Sequence, residues 1–132
     1  MTSYIIRGAA LLGGDAVDLL LRNGLVADIG TSLDAGDAEE IDADGLVALP
    51  GLVDLHTHLR EPGREDAETV ATGTAAAARG GFTAVHAMAN TDPVADTAGV
   101  VEQVWRLGRD AGHCEVRPVG AVTIGLAGEQ LA

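Results

Sequence analysis

From residue 50 onward the chain repeats one pattern, a short apolar run bounded by turn residues followed by a run with helical spacing that ends at glycine. Pro50-Gly51 precedes Leu52 to His56, short and apolar as a buried strand is. Asp66 is placed to cap a helix from about Ala67 to Arg79, and Gly80-Gly81 to end it. Phe82 to Met88 reads as a second buried strand. Asp96 or Thr97 opens a second helix whose Val101, Val104, Trp105 and Gly108 follow the i, i+3, i+4, i+7 spacing of one face, and Gly112 closes it. Glu115 to Thr123 is a third strand. Strands and helices alternating at intervals of roughly 30 residues are the mark of βαβ units with a parallel sheet. The expected class is α/β, with about three βα units of an open doubly wound sheet or of a (β/α)8 TIM-type barrel. A closed barrel takes about 250 residues, so residues 50–132 make less than half of one.

Residues 1–49 follow a different rule and read as a β-rich portion, separate from 50–132. Val17, Leu19 and Leu21 alternate with Asp18, Leu20 and Arg22, and Asn23-Gly24 then precedes Leu25 to Ile29. Asn-Gly between two such runs predicts a hairpin, because both turn residues tolerate positive φ. A polar stretch, Thr31 to Glu40, follows, and Asp44-Gly45 reads as a second turn before a strand Leu46 to Leu49.

Composition excludes several functions. With 47% hydrophobic and 21% charged residues a packed core is expected, not disorder. Twenty acidic against eight basic residues, a formal charge of −12, oppose nucleic-acid and anionic-membrane binding. No stretch approaches the ~20 apolar residues of a membrane span, and the N-terminus lacks the charged and apolar regions of a signal peptide. A single cysteine, Cys114, forms no internal disulfide, which fits a cytoplasmic location.

The chemistry concentrates in DLHTHLREPGR at 54–64. Side chains at i and i+2 of a strand share a face, so His56 and His58 can offer two imidazoles to one metal ion, and Asp54 shares that face one pleat earlier. A catalytic zinc takes about three protein ligands and an open position, so the pair is part of a site. Parallel strands carry functional groups at their C-terminal ends; the histidines end the first strand and Asn90 stands just past the second, so the three can converge.

These residues carry a resemblance. LPGLVDLHTHLREPG at 49–63, GGFTAV at 80–85 and MANTDPV at 88–94 are similar to the start of the dihydroorotase family of the amidohydrolase superfamily. The resemblance implies a small composite β-sandwich, built partly from N-terminal strands, ahead of a (β/α)8 barrel holding one or two zinc ions. It implies an enzyme that interconverts dihydroorotate and N-carbamoyl-aspartate in pyrimidine synthesis. His56 and His58 would be zinc ligands, and Arg60 and Asn90 would hold the substrate carboxylate. A guanidinium matches a carboxylate bidentately and an amide adds one donor. Zinc would lower the pKa of a water toward ~7 and polarise the ring amide carbonyl. The bridging carboxylate, further histidines and the aspartate general acid/base would lie beyond residue 132, leaving this stretch inactive alone. A homo-oligomer or association with aspartate transcarbamoylase also belongs to what the resemblance implies.

Simpler readings stand beside these. Asp54 can orient neighbouring groups instead of ligating. Arg60 can pair with Glu61 or Glu65, and Asn90-Thr91-Asp92-Pro93 can be a plain turn. His86 shares a face with Phe82, Ala84 and Met88 and reads as a packed histidine; His113 and Cys114 follow a helix end and need no catalytic explanation. Allantoinases and hydantoinases or dihydropyrimidinases share the paired histidines, but allantoinases usually carry asparagine where Arg60 stands and their substrates lack the carboxylate. Thr57 departs from the aliphatic residue more usual between the histidines of dihydroorotases. A non-catalytic dihydroorotase-like scaffold would tend to lose the ligands that this chain keeps. A free-standing metal-binding module would leave an apolar strand edge uncovered.

Overall fold

The computed structural model describes residues 2–132, in two compact units that divide between Pro50 and Gly51. In the first unit, β1 (Tyr4–Leu11), β2 (Ala16–Arg22), β3 (Leu25–Gly30) and β4 (Glu39–Asp42) form a sheet in the order β3-β2-β1-β4, and β5 (Val47–Ala48) pairs with β1. The expected hairpin is β2-β3. Asn23 and Gly24 both take positive φ, 53° and 77°, the pair of conformations that a two-residue turn with the right twist requires. The polar stretch runs into a strand that no expectation covered, β4, parallel to β1 from Tyr4↔Glu39 to Arg7↔Asp42. One reading is corrected. The strand expected at Leu46 to Leu49 shrinks to Val47–Ala48. All four β4 side chains are exposed, so backbone pairing and not apolar burial holds this strand, and no hydrophobic pattern announces it.

Ile5, Ala9 and Leu19 are the buried apolar side chains of the β1–β2 pair. Beside them Asp18, only 8% exposed, is satisfied on every side. Its carboxylate accepts from Arg7 Nη1 at 2.9 Å, Gly8 N at 3.1 Å and Leu33 N at 3.1 Å. Arg7 also donates to Leu33 O at 2.7 Å and Glu40 Oε1 at 2.7 Å, so one guanidinium ties together β1, β2, β4 and the loop before it. The hydrogen bond from Arg7 is the first cause that holds both the Asp18 and Glu40 carboxyls below the ordinary carboxylate range.

In the second unit, β6 (Leu52–Thr57), β7 (Phe82–Ala87) and β8 (Glu115–Pro118) form a parallel sheet in that order, with crossovers through α1 (Val70–Arg79) and α2 (Ala98–Ala111). The α/β class and the β-rich first unit are as expected. The third βα unit is not present among the described residues, since β8 is followed only by a 3-10 turn at Ile124–Leu126. Nor does β8 reach Thr123. After Pro118, Val119 N donates to Ala87 O at 2.8 Å and Ala121 N to Ala95 O at 2.8 Å, so the chain bends over the end of β7 and leaves the ladder.

Helix α1 begins three residues later than expected. Asp66 pairs with Arg64 Nε at 3.1 Å, and the cap is Thr69, whose hydroxyl accepts from Thr72 N at 3.1 Å while Thr72 Oγ1 accepts from Thr69 N at 3.0 Å. A second carboxylate from outside the helix, Glu61, takes the Val70 N–H at 2.6 Å. Helix α2 follows expectation, with Thr97 as cap and Gly112 closing it at φ 67°.

Leu59, Val70, Val85, Ala87, Val104 and Val116 form the core between sheet and helices, flanked by Phe82, Leu107 and Cys114. Burial pushes the Cys114 thiol up, as suits a packing residue. Gly108 lets α2 lie against β8: a Cβ there would stand 2.4 Å from Val116 Cβ. The opposite edge is open. Leu52, Val53 and Leu55 of β6 are 49%, 52% and 70% exposed, an apolar edge of the kind proteins normally cover.

The Arg7 cluster has a pH signature. Carboxyls whose folded pKa lies below the unfolded value of about 4 stabilise the fold at neutral pH and lose that contribution as pH falls through the folded value. Arg7→Met is expected to lower the melting temperature at neutral pH, and the gap from the parent protein should close as pH drops toward about 2, followed by circular dichroism.

Candidate metal and anion site

The register of two parallel strands brings the motifs together. Thr57 of β6 pairs with Ala87 of β7, and Met88 N donates to Thr57 O at 2.9 Å, so the chain leaves both strands at one level. His56 is the penultimate residue of β6, His58 follows its end, and Asn90 lies three residues past β7.

Two loops then lock. Asp92 N donates to Pro62 O at 3.0 Å, and Gly63, at φ 104°, lies so close to Asp92 that a Cβ would stand 2.4 Å from Asp92 O and 2.5 Å from Asp92 Cβ. Only glycine satisfies both the backbone angle and the contact. The first loop is further anchored by Glu61 on the start of α1 and by Glu65 Oε1, which accepts from Gly63 N at 3.0 Å. Both acids are thereby occupied, and Arg60 forms no ion pair among the described residues. Its backbone takes φ 65°, sparsely populated for a residue with a side chain.

The side chains line a water-sized crevice of about 10 Å³ and an adjoining open cleft of about 370 Å³. His58, Arg60, Glu61, Met88, Asn90 and Thr91 border one; His56, His58, Met88, Asn90, Val119 and Val122 border the other. His58, Met88 and Asn90 belong to both, and the two polar side chains form the wall between them. They are joined directly, His58 Nδ1 to Asn90 Oδ1 at 2.8 Å. Asn90 is therefore no plain turn former. The turn bonds come from its neighbours, Thr91 Oγ1 to Pro93 O at 2.7 Å and Asp92 N to Pro62 O.

The imidazoles stand at a spacing that a shared ion allows. Two rings bound through nitrogen at about 2.0–2.1 Å around a tetrahedral metal hold their centroids about 5 Å apart. The His56 and His58 centroids are 5.1 Å apart, with ring planes at 64°. No third histidine, cysteine or carboxylate joins them among the described residues. Asp54 turns back on its own strand, Oδ1 accepting from His56 N at 2.9 Å. That bond is the main cause of its lowered pKa, reinforced by the Thr57 hydroxyl from outside hydrogen-bond geometry. His86 makes a 3.3 Å contact to Asp54 O across the ladder and is not among the residues that border the crevice or the cleft. Sequence reasoning missed two links: Glu61 as a cap for α1, and the bond between Asn90 and His58. The first had a signal, a carboxylate shortly before a helix start; the second had none.

The dihydro-orotase-like family model matches residues 45–132. The dihydroorotase of Streptomyces coelicolor is 65% identical over the whole chain, and that of Mycobacterium tuberculosis 58% identical over 98% of it. The chain spans about a third of these relatives, 31% and 30% of their lengths. Among solved structures, an L-hydantoinase (dihydropyrimidinase) from Arthrobacter aurescens superposes with a TM-score of 0.76 at 24% identity, covering 93% of this chain and 28% of that one. A D-hydantoinase from Bacillus sp. AR9 gives 0.62 at 31% identity, covering 92% and 27%.

If the contact between Gly63 and Asp92 holds the two loops, Gly63→Ala must open it. The variant should be cut by trypsin after Arg60 or Arg64 faster than the parent, at an unchanged rate elsewhere, as read by mass spectrometry of the early fragments.

Proposed function

From the premise that the chain belongs to the dihydro-orotase-like family, we propose that it is the first part of a zinc-dependent cyclic amide hydrolase that interconverts dihydroorotate and N-carbamoyl-aspartate. The observation that carries this reading is the pair of cavities sharing one wall, with two imidazoles on one side and an unpaired guanidinium with an amide on the other. His56 and His58 would hold zinc. A bound zinc supplies Lewis acidity, which lowers the pKa of water and polarises a carbonyl. Arg60 binds the substrate carboxylate as a two-pronged donor, and Asn90 Nδ2, without a partner among the described residues, adds a third hydrogen bond. Together they orient the ring so that its amide faces the histidines.

The first unit would contribute to a composite β-sandwich and residues 50–132 to the barrel, the other ligands and the general acid/base coming from elsewhere in the whole protein. We place the whole protein in the cytoplasm; no helix among the described residues is long and apolar enough to cross a membrane. A homo-oligomer or a complex with aspartate transcarbamoylase is part of the same proposal. The likeness to hydantoinases supports a second reading, a hydrolase of uncharged cyclic amides. Arg60 favours the first, since a free guanidinium beside the metal side of the site gains most from an anionic ring.

Arg60→Met in the full-length enzyme should lower kcat/KM for dihydroorotate roughly 100-fold or more, since two charge-assisted hydrogen bonds at about 1.5 kcal/mol or more each are lost. Zinc content by elemental analysis should not change. His56→Ala should lose both zinc and turnover. Hydrolysis of hydantoin at a rate above dihydroorotate by the parent enzyme would overturn the assignment.

A further inference from the structure

Asn90 is the one residue that borders both cavities and bonds a candidate ligand at the same time. A neutral imidazole has one N–H and one lone pair. Its partner therefore decides which nitrogen is left to bind a metal. Two arrangements satisfy the 2.8 Å contact between Asn90 and His58 Nδ1. If the amide NH2 donated to Nδ1, the proton would sit on Nε2 and the ring would have no lone pair to offer. If Oδ1, the Asn90 atom that stands nearest the ring, accepts from Nδ1–H, Nε2 is free and its lone pair faces away from Asn90. Only the second arrangement is compatible with ligation.

We propose that Asn90 is a positioning residue for the metal site: its carbonyl oxygen fixes His58 in the Nδ1–H tautomer and sets the ring, while its amide nitrogen remains for the substrate anion. This inference rests on the proposed function and adds to Asn90 a task on the metal side. The arrangement explains why an amide suits the position. An aspartate would hold His58 equally well through an oxygen, but its charge would repel an incoming carboxylate and it has no N–H to give. An alanine would do neither. The bond also joins the two sides mechanically, so the residue that meets the substrate is in direct contact with a ligand of the ion. The other groups near the pair do not compete for this task. Asp54 is occupied by His56 N, Thr91 by Pro93 O, and Glu61 by Val70 N.

The test is made on the full-length zinc-loaded enzyme, with no substrate present for the metal readout. Asn90 is exposed, so its variants should fold, which circular dichroism checks. Zinc transfer to a chromophoric chelator measures how firmly the ion is held. Asn90→Ala should weaken zinc binding about 10- to 100-fold, the usual effect of removing the partner that orients a ligating histidine. Asn90→Asp should hold zinc as the parent does, while its KM for dihydroorotate rises. Asn90→Ala holding zinc as firmly as the parent, or Asn90→Asp losing it as Ala does, overturns the inference and leaves the proposed function intact. A parent protein that binds no zinc overturns both.

Discussion

The site depends on the parallel register of β6 and β7. Because Thr57 stands opposite Ala87 and accepts from Met88 N, whatever follows the first strand and whatever follows the second emerge at one height on the same side of the sheet. Slipping the pairing by one residue would turn every side chain to the other face and carry His56 away from His58's partner loop. The lock between Pro62 O and Asp92 N, with Gly63 pressed on Asp92, then holds the loops at the spacing that the His58 to Asn90 bond requires. The residues Glu-Pro-Gly and Asp-Pro of the two motifs serve this joint. Neither acid in the first loop faces the cavities as a free charge, for Glu61 caps a helix and Glu65 caps the turn at Gly63.

A chain with a formal charge of −12 is an unpromising host for an anion, and local arrangement answers that. Arg7, Arg22, Arg64, Arg106 and Arg117 are committed to carboxylates, and Arg109 lies 4.8 Å over the Trp105 ring. Arg79 sits in the last turn of α1, where the helix dipole favours it. Arg60 also has no carboxylate partner among the described residues, and it lies in the loop beside the two histidines, bordering the crevice that His58 and Asn90 line. Net charge therefore says little about what this surface attracts; the unpaired guanidinium says more.

Legibility followed the physical origin of each feature. The hairpin at Asn23-Gly24, the second helix and the strand after Gly80-Gly81 were readable because local conformation and apolar spacing determine them. Strand β4 was not, since its four exposed residues carry no pattern and are held by the backbone of β1. The start of α1 was misread because Asp66 and Thr69 are both acceptable caps in isolation, and Glu61, five residues before Asp66, favoured the later start through Val70. The third strand stopped early because, after Val119 bonds Ala87 at the very end of β7, Ala121 finds its partner at Ala95, outside the ladder.

For the site the division is similar. The pairing of His56 with His58, the nearness of Arg60 and the place of Asn90 beyond a second strand follow from period-two alternation and from the rule that parallel sheets present their C-terminal ends. Those are properties of the chain and its local geometry, so the order of residues alone determines them. Which nitrogen of His58 is engaged, that Asn90 and not another side chain engages it, and that Glu61 and Glu65 leave Arg60 unpaired were decided only in the folded molecule. Each depends on a contact between groups far apart in the chain, His58 and Asn90 being 32 positions apart, and such contacts exist only once the sheet has set the distance between them.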